Sequence, residues 1–305
     1  MSEAPRAGRP LLTDLTEAAG LTAAPEAATV VCLPYAGGGA FGYVPFARAL
    51  HEAGKPLRVL AADLPGRDRD DGRPAVPADR LTADLAQEIA MAVPSDTDVV
   101  LLGHSSGTGP ALTAGMALRA MGRPPARFVA VAALPPAPGP DGHPARAAAA
   151  LTDAELFARF AAEAETVPHA DADRPGTDQL PPEERADIAR AFRYDVLTAL
   201  DCFASARHEA GRNGAAALGC PVTVLLAADD RSVADRRRDT RQWAVFGTAL
   251  HVEWTAEGGH YLNTSRPRFL ASGIPYEYPE HPERPECPDA VPRPEEPGHA
   301  PYDGP

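Results

Sequence analysis

The architecture of this chain can be built up from one stretch of its sequence, Val99-Val100-Leu101-Leu102-Gly103-His104-Ser105-Ser106-Gly107. The four apolar residues predict a buried strand, and Pro110 stands in the first turn of the helix predicted to follow. A serine on the sharp turn between a strand and a helix exposes its hydroxyl, and the flanking glycines relieve backbone crowding. The pattern therefore predicts that Ser105 is a nucleophile in acyl-transfer chemistry.

Strands and helices alternate on both sides of this turn. Leu81, Leu85, Ile89 and Val93 recur at every fourth position, which is typical of one buried helix face. Strands that are apolar throughout are buried on both faces, as in a parallel sheet covered by helices. The sequence predicts an α/β fold with a mostly parallel central sheet, helices on both faces and strands near 29–33, 57–64, 98–102, 128–134, 222–226 and 251–254.

This alternation is interrupted over residues 137–215, where helical patterns follow one another without a strand. Thr152 and Glu155 have the spacing of a capping box, and a longer helix is predicted over 182–208. An insertion of this kind at the carboxyl side of a sheet predicts a helical lid. The expected domains are a flexible leader at 1–27, the folded domain at 28–274 and a disordered tail, rich in proline and acidic residues, at 275–305.

Composition excludes several classes of function. The net charge of -13 disfavours nucleic acid and anionic membranes as partners. No apolar run is long enough to span a membrane, and the N-terminus lacks the pattern of a signal peptide, so we expect a cytoplasmic protein. The four cysteines show no metal-site or disulfide spacing, and we expect buried, reduced thiols and no metal.

A serine hydroxyl needs a base to take its proton, and an acid to fix the tautomer of that base. Asp229-Asp230 follows one predicted strand and Gly258-Gly259-His260 follows the last, so the chain order resembles that of α/β-hydrolases. Of the nine histidines, only His260 lies on a glycine-flanked loop after the last strand. We predict Ser105, Asp230 and His260 as catalytic residues, with Asp229 as the alternative acid and Asp230 preferred for its spacing to Val233.

Acyl transfer also requires two preorganised N–H donors for the oxyanion. One is expected from Ser106, the residue after the nucleophile, and the other from the glycine-bearing loop at 34–39. Within that loop Ala36 is the predicted donor and Gly37 the second choice. A plain tight turn is the alternative interpretation of the loop.

Four motifs together resemble the type II thioesterases, the free-standing editing enzymes of polyketide and nonribosomal peptide synthetases. In chain order these are Leu33-Pro34-Tyr35-Ala36-Gly37-Gly38-Gly39, Asp63-Leu64-Pro65-Gly66-Arg67-Asp68, Gly103-His104-Ser105-Ser106-Gly107 and Gly258-Gly259-His260-Tyr261. The resemblance covers residues 28–272. The P-x-A-G-G loop combined with L-P-G-R is far more specific than G-x-S-x-G, which many hydrolases share.

The resemblance implies an α/β-hydrolase fold with a helical lid, and hydrolysis of acyl groups from the phosphopantetheine thioester of an acyl or peptidyl carrier protein. It implies the triad Ser105, Asp230 and His260 and the oxyanion donors Ala36 and Ser106. We also expect no cofactor of the enzyme's own, and a monomer. Arg193-Tyr194-Asp195 corresponds to an Arg-x-Asp that the family carries in its lid helix. Substrate contacts are predicted at Tyr35, Gly37, Phe157, Phe160 and Phe192, although each phenylalanine could instead pack helix on helix.

Three alternatives remain at this stage. The family usually has Met or Leu after the nucleophile, whereas Ser106 is commoner in synthetase-fused thioesterases that release or cyclise a finished product. A small carboxylester hydrolase would carry the same nucleophile pattern. A catalytically silent interaction protein is disfavoured by an intact Ser, Asp and His set in the expected order.

Overall fold

A central sheet organises the part of the chain that the computed structural model describes, which is residues 10–24, 27–66, 73–136, 149–164, 180–213 and 217–275. The strands in chain order are β1 (Leu12–Asp14), β2 (Thr29–Leu33), β3 (Arg58–Ala62), β4 (Val99–His104), β5 (Arg127–Val131), β6 (Val222–Ala227) and β7 (Leu250–Thr255). Their order across the sheet is β1-β3-β2-β4-β5-β6-β7, and every neighbouring pair is parallel except β1 with β3. The predicted α/β class and mostly parallel sheet are confirmed.

Helices follow the strands, as the alternating pattern predicts. The α-helices are α1 (Leu15–Ala18), α2 (Val44–Glu52), α3 (Ala78–Ala92), α4 (Thr108–Ala120), α5 (Asp153–Ala164), α6 (Pro182–Asn213), α7 (Leu262–Ser265) and α8 (Pro267–Ser272). Within the described residues, 3-10 segments, which have fewer residues per turn than an α-helix, occupy Ala40–Tyr43, Ser105–Gly107 and Ala234–Val245. The last of these lies between β6 and β7, where the alternating sequence pattern predicts a helix near 235–245.

The core explains why the inner strands are apolar throughout. Every residue of β2, β4 and β6 is buried, because helices cover both faces of the sheet there. Leu81, Leu85 and Ile89 of α3 are buried on one helix face, as their spacing predicts. The ring of Trp243 is fully buried and packs against Phe128, Phe203 and Phe246.

The predicted leader at 1–27 is wrong for its described part. Leu12–Asp14 pairs with β3 as an antiparallel edge strand, and α1 follows directly. The backbone N–H groups of Leu11 and Leu12 donate to the carboxylate of Glu88 at 2.9 and 2.7 Å, and Arg58 pairs with Asp14 at 2.8 Å. A three-residue strand is too short to show a periodicity, and its partners lie far away in sequence, so the local pattern could not reveal it.

The domain boundaries change accordingly. The N-terminal strand belongs to the folded unit, which therefore begins before residue 28, and this unit ends at Ile274. Residues 1–9 of the expected leader and 276–305 of the expected tail lie outside the described residues.

Two helices of the predicted lid insertion are described. The capping box opens α5, where the N–H and the hydroxyl of Thr152 donate to Glu155 at 2.7 and 2.8 Å. Helix α6 extends to Asn213, beyond the predicted end at 208, and packs against α3, α4, α5 and the segment Ser105–Gly107. The remainder of the 137–215 insertion, at 137–148, 165–179 and 214–215, falls outside the described residues.

Candidate active site

The turn between β4 and α4 holds Ser105 in a strained conformation. Its φ of 51° lies in the left-handed region, which costs a residue with a side chain about 1 kcal/mol or more. A Cβ at Gly103 would lie 2.4 Å from Thr108 Cα, and one at Gly107 would lie 2.3 Å from the carbonyl oxygen of Pro34. Only glycine fits at these two positions, so the flanking glycines permit the close packing that presents Ser105 at the end of the sheet.

Asp230 and His260 meet at the carboxyl end of the neighbouring strands β6 and β7. His260 Nδ1 lies 2.9 Å from Asp230 Oδ2, and both side chains are almost completely buried. The other oxygen, Asp230 Oδ1, accepts hydrogen bonds from the Ser232 N–H at 2.9 Å and its hydroxyl at 2.7 Å. Asp230 thus places the histidine proton on Nδ1, which leaves Nε2 as the basic nitrogen.

The surroundings of Asp230 favour its charged form. Burial by itself raises the pKa of this carboxyl, but the hydrogen bond and charge of His260, together with the Ser232 donors, bring the pKa below its ordinary value. A carboxylate that stays ionised near neutral pH can orient an imidazole and stabilise its protonated form.

Asp229, the alternative acid, has a different contact. Its carboxylate accepts the backbone N–H groups of Gly258 and Gly259 at 3.1 and 2.8 Å. Asp229 therefore holds the loop that carries His260, whereas Asp230 holds the imidazole. The two neighbouring aspartates thus fix the backbone of the loop just before His260 and the side chain of His260 itself.

His104 joins the serine turn to the histidine loop. Its Nε2–H donates to the carbonyl oxygen of His260 at 2.6 Å, and the side chain is fully buried. Burial, and secondarily the nearby charge of His260, lowers the pKa of His104 to about 3. His104 is therefore neutral under ordinary conditions, and it brings the loops of Ser105 and His260 into direct contact.

The loop after β2 supplies backbone donors beside the serine turn. Gly38 N–H closes a turn onto the carbonyl oxygen of Tyr35 at 2.9 Å, and Gly37 has a φ of 74°. Gly37 N–H donates to Asp195 Oδ2 of α6 at 2.8 Å, and Ala40 N–H donates to Asp63 Oδ1 at 2.8 Å. Because Gly37 N–H is occupied, Ala36 is the better of the two predicted oxyanion donors.

The predicted substrate residues fall into two groups. The ring of Tyr35 packs edge-on against His104 and Tyr261, with centroids 5.1 and 4.6 Å apart. Phe192 and Phe157 join a small apolar cluster with Ala36, between the lid helices and the loop after β2. The side chain of Phe160 lies outside the described residues.

Metal-binding clusters and membrane-spanning helices are both absent from the described residues, and three thiols are buried there. The described residues contain no cluster of His, Cys, Asp or Glu arranged to hold a metal ion. None of their helices is both long and apolar enough to cross a membrane. Cys32, Cys202 and Cys220 are free and buried, and burial raises the pKa of each, so they are poor nucleophiles.

Comparison with known proteins places this chain in the alpha/beta hydrolase family. The family model matches residues 30–272, which contain the serine turn and both partner loops, and the chain belongs to that family. A search of curated protein sequences finds no significant match.

Solved structures with the same fold include three thioesterases. BorB, a type II thioesterase from the borrelidin biosynthetic cluster, is 23% identical over 87% of this chain and 98% of its own, with a TM-score of 0.60. RedJ, the thioesterase of the prodiginine pathway in Streptomyces coelicolor, is 22% identical over 83% and 88%, with a TM-score of 0.61. YbtT, a type II thioesterase from the yersiniabactin pathway, is 19% identical over 86% and 95%, with a TM-score of 0.59.

Sequence reasoning did not predict the contacts by which several residues support the site, although it named Asp229 as the alternative acid. Asp63 and Asp229 bind loop backbone, Ser232 binds the acid, and His104 binds the His260 carbonyl. Ser232 alone carried a local signal, because it stands two residues after Asp230 at the spacing of an Asx turn. The other contacts join residues distant in sequence.

Proposed function

We propose that this protein is a serine thioesterase that hydrolyses acyl groups from the phosphopantetheine thioester of an acyl or peptidyl carrier protein, as an editing enzyme of polyketide or nonribosomal peptide biosynthesis. The observation that carries the proposal is the buried Asp230–His260 pair, joined through His104 to the strained turn of Ser105. The substrate class rests on the motifs shared with type II thioesterases and on the fold shared with BorB, RedJ and YbtT.

The reaction begins when the hydroxyl of Ser105 attacks the thioester carbonyl and His260 Nε2 takes its proton. The N–H groups of Ala36 and Ser106 stabilise the oxyanion of the tetrahedral intermediate. This intermediate, in which the C–O bond to Ser105 has formed, then collapses with cleavage of the C–S bond, and the leaving sulfur takes the proton from His260, which makes the imidazole neutral again. The pantetheine thiol leaves readily, since thiols have a pKa of about 8.5.

The second half of the reaction releases the acid. Water attacks the acyl-enzyme carbonyl, His260 accepts a proton from that water, and the same two N–H groups hold the second oxyanion. The bond to Ser105 breaks, and the serine oxygen takes back a proton from His260. The products are a free carboxylic acid and a carrier protein with its thiol restored, and neither half-reaction needs a cofactor.

The lid is proposed to provide the acyl site. Phe157 and Phe192 cluster with Ala36, so apolar side chains of α5 and α6 lie next to the proposed oxyanion donor. An acyl chain that enters between the lid and the loop after β2 would meet this surface. In the same proposal the enzyme acts as a cytoplasmic monomer.

The proposal is tested with carrier proteins loaded with different acyl groups and followed by intact-protein mass spectrometry. We expect loss of the acyl mass with the wild-type protein and almost none with Ser105→Ala, because removing the nucleophile removes the acyl-enzyme route. A fluorophosphonate should label the wild type and not the variant. Full turnover by Ser105→Ala would refute the mechanism, and preference for oxygen esters over acyl-pantetheine would point to a carboxylester hydrolase.

One observation favours a product-releasing or cyclising thioesterase as the second candidate. Ser106 Oγ is buried and has no hydrogen-bond partner within the described residues, so a polar hydroxyl stands beside the nucleophile. Serine at this position is also the residue that synthetase-fused, product-releasing thioesterases more commonly carry. Formation of a macrocycle instead of a free acid from a loaded carrier protein would select this candidate.

A further inference from the structure

The turn that contains the proposed oxyanion donor, Ala36, could take two forms. A turn over Tyr35–Gly38 with a positive φ at Gly37 is of type II, whereas type I reverses the peptide between Ala36 and Gly37. The two forms point the Gly37 N–H to opposite sides of the turn. The orientation of this one peptide therefore sets ψ of Ala36, the residue whose own N–H is the proposed donor.

A carboxylate from the lid helix holds that peptide. Asp195 Oδ2 accepts the Gly37 N–H at 2.8 Å across 158 residues of sequence, and Asp195 is only 3% exposed. Ala36, Leu156, Ala189 and Phe192 form an apolar cluster in this part of the molecule. A carboxyl oxygen that accepts a hydrogen bond in buried surroundings holds its donor in a well-defined direction.

The two residues before Asp195 attach the same helix elsewhere. Arg193 donates to the carbonyl oxygen of Leu151 and pairs with Asp153, both at 2.7 Å. The hydroxyl of Tyr194 donates to the carbonyl oxygen of Val76 at 2.9 Å. Three consecutive residues thus attach α6 at three places, and the carboxylate of Asp195 reaches the loop after β2.

We propose that Asp195 is a positioning residue for the oxyanion hole, which acts through Gly37 to fix the turn that presents the Ala36 N–H. The inference rests on the proposed serine hydrolase function and makes the lid helix part of the catalytic geometry. Asp195 acts here as a hydrogen-bond acceptor, since its negative charge would by itself oppose an oxyanion nearby. An uncharged acceptor of the same shape should therefore serve as well.

The experiment compares Asp195→Ala, Asp195→Asn and Tyr194→Phe with the wild type. The readouts are kcat and KM for a p-nitrophenyl ester and an acyl-pantetheine thioester, and the rate of fluorophosphonate labelling at Ser105. For Asp195→Ala we expect kcat and labelling to fall about 10- to 100-fold with KM within about twofold, because the oxyanion donor is misplaced and not removed. Asp195→Asn should recover most of the rate, because its carbonyl oxygen can still accept the Gly37 N–H.

Tyr194→Phe is the matched control, because it loses the attachment of the same helix to Val76 and leaves the Asp195 carboxylate in place. It should keep kcat and labelling within about threefold of the wild type. Circular dichroism and thermal unfolding establish that each variant is folded. If Asp195→Ala does not fold, Asp195→Ser is used in its place, because the serine side chain is too short for its hydroxyl to reach the Gly37 N–H.

Two outcomes would overturn the inference: an unchanged kcat in Asp195→Ala, whether or not KM rises, or an equal loss in Asp195→Asn. The labelling rates also distinguish failure of this inference from failure of the substrate proposal. If the wild type is labelled at Ser105 but does not hydrolyse acyl-pantetheine, the substrate proposal fails and the labelling rates still decide the role of Asp195. A wild type that resists labelling would overturn both.

Discussion

At the scale of single residues, the candidate site depends on buried side chains that bind loop backbone. His104 is one example, since its ring donates to the carbonyl oxygen of His260 and is fully buried. The sequence indicates a histidine in the serine turn, but it does not say which loop that histidine contacts. In the structure, His104 connects the serine turn to the loop that carries His260.

Burial of His104 makes the stability of the fold sensitive to acid. The folded pKa of about 3 lies below the ordinary value of about 6.5, so below pH 6 the unfolded state binds a proton that the folded state excludes. His104 should then cost up to about 1.4 kcal/mol of unfolding free energy for each unit that the pH falls, until the pH approaches 3.

The His104→Gln variant should reduce this acid sensitivity, because glutamine does not titrate and can still donate to the His260 carbonyl. We expect its unfolding free energy to fall less steeply than that of the wild type between pH 6 and 4, as measured by urea denaturation at a series of pH values. Parallel pH curves for the two proteins would contradict the assignment.

At the scale of elements, the lid helix is seated on the helix that follows the nucleophile. Gly109 of α4 faces Ala199 of α6, and a Cβ at Gly109 would lie 2.6 Å from the Ala199 carbonyl oxygen. Gly115, further along α4, would place a Cβ 2.9 Å from the ends of the Leu101 and Leu218 side chains. Backbone atoms cannot shift as easily as leucine methyl groups, so an added Cβ should destabilise the protein more at Gly109 than at Gly115.

We therefore expect Gly109→Ala to destabilise the protein by about 1–3 kcal/mol and to displace α6, with a loss of activity. Gly115→Ala is the matched control on the same helix. Its overlap falls on flexible side chains and is offset by about 1 kcal/mol of helix propensity, so it should be close to neutral. Urea denaturation and ester hydrolysis measure both effects, and equal costs for the two variants would rule out this account of the lid contact.

At the scale of the whole molecule, the N-terminal segment completes the edge of the sheet. Strand β1 pairs with β3, and the backbone N–H groups of Leu11 and Leu12 are held by Glu88 of α3. A covered edge protects β3 from pairing with other chains. The segment belongs to the fold although its composition is that of a leader.

Replacing Glu88 with alanine should release this segment. We expect Glu88→Ala to cost about 2 kcal/mol, since two hydrogen bonds to a charged acceptor are lost. Hydrogen exchange should accelerate in β1 while β4 keeps its protection. The neighbouring exposed Gln87→Ala should change neither quantity, and an unaltered exchange rate in β1 of Glu88→Ala would show that the carboxylate does not hold the segment.

The sequence by itself determined the α/β class, the positions of the inner strands and the choice of Ser105, Asp230 and His260 as candidates. These follow from local patterns: continuous apolar runs, apolar residues at helical spacing, and glycines that flank a turn too crowded for larger residues. Tertiary structure alone decided that Asp230 and not Asp229 meets the imidazole, that Asp195 holds Gly37, and that residues 12–14 are a strand. The physical reason is that each of these contacts joins residues far apart in sequence, where the direction of a side chain depends on how whole elements pack and not on its neighbours along the chain.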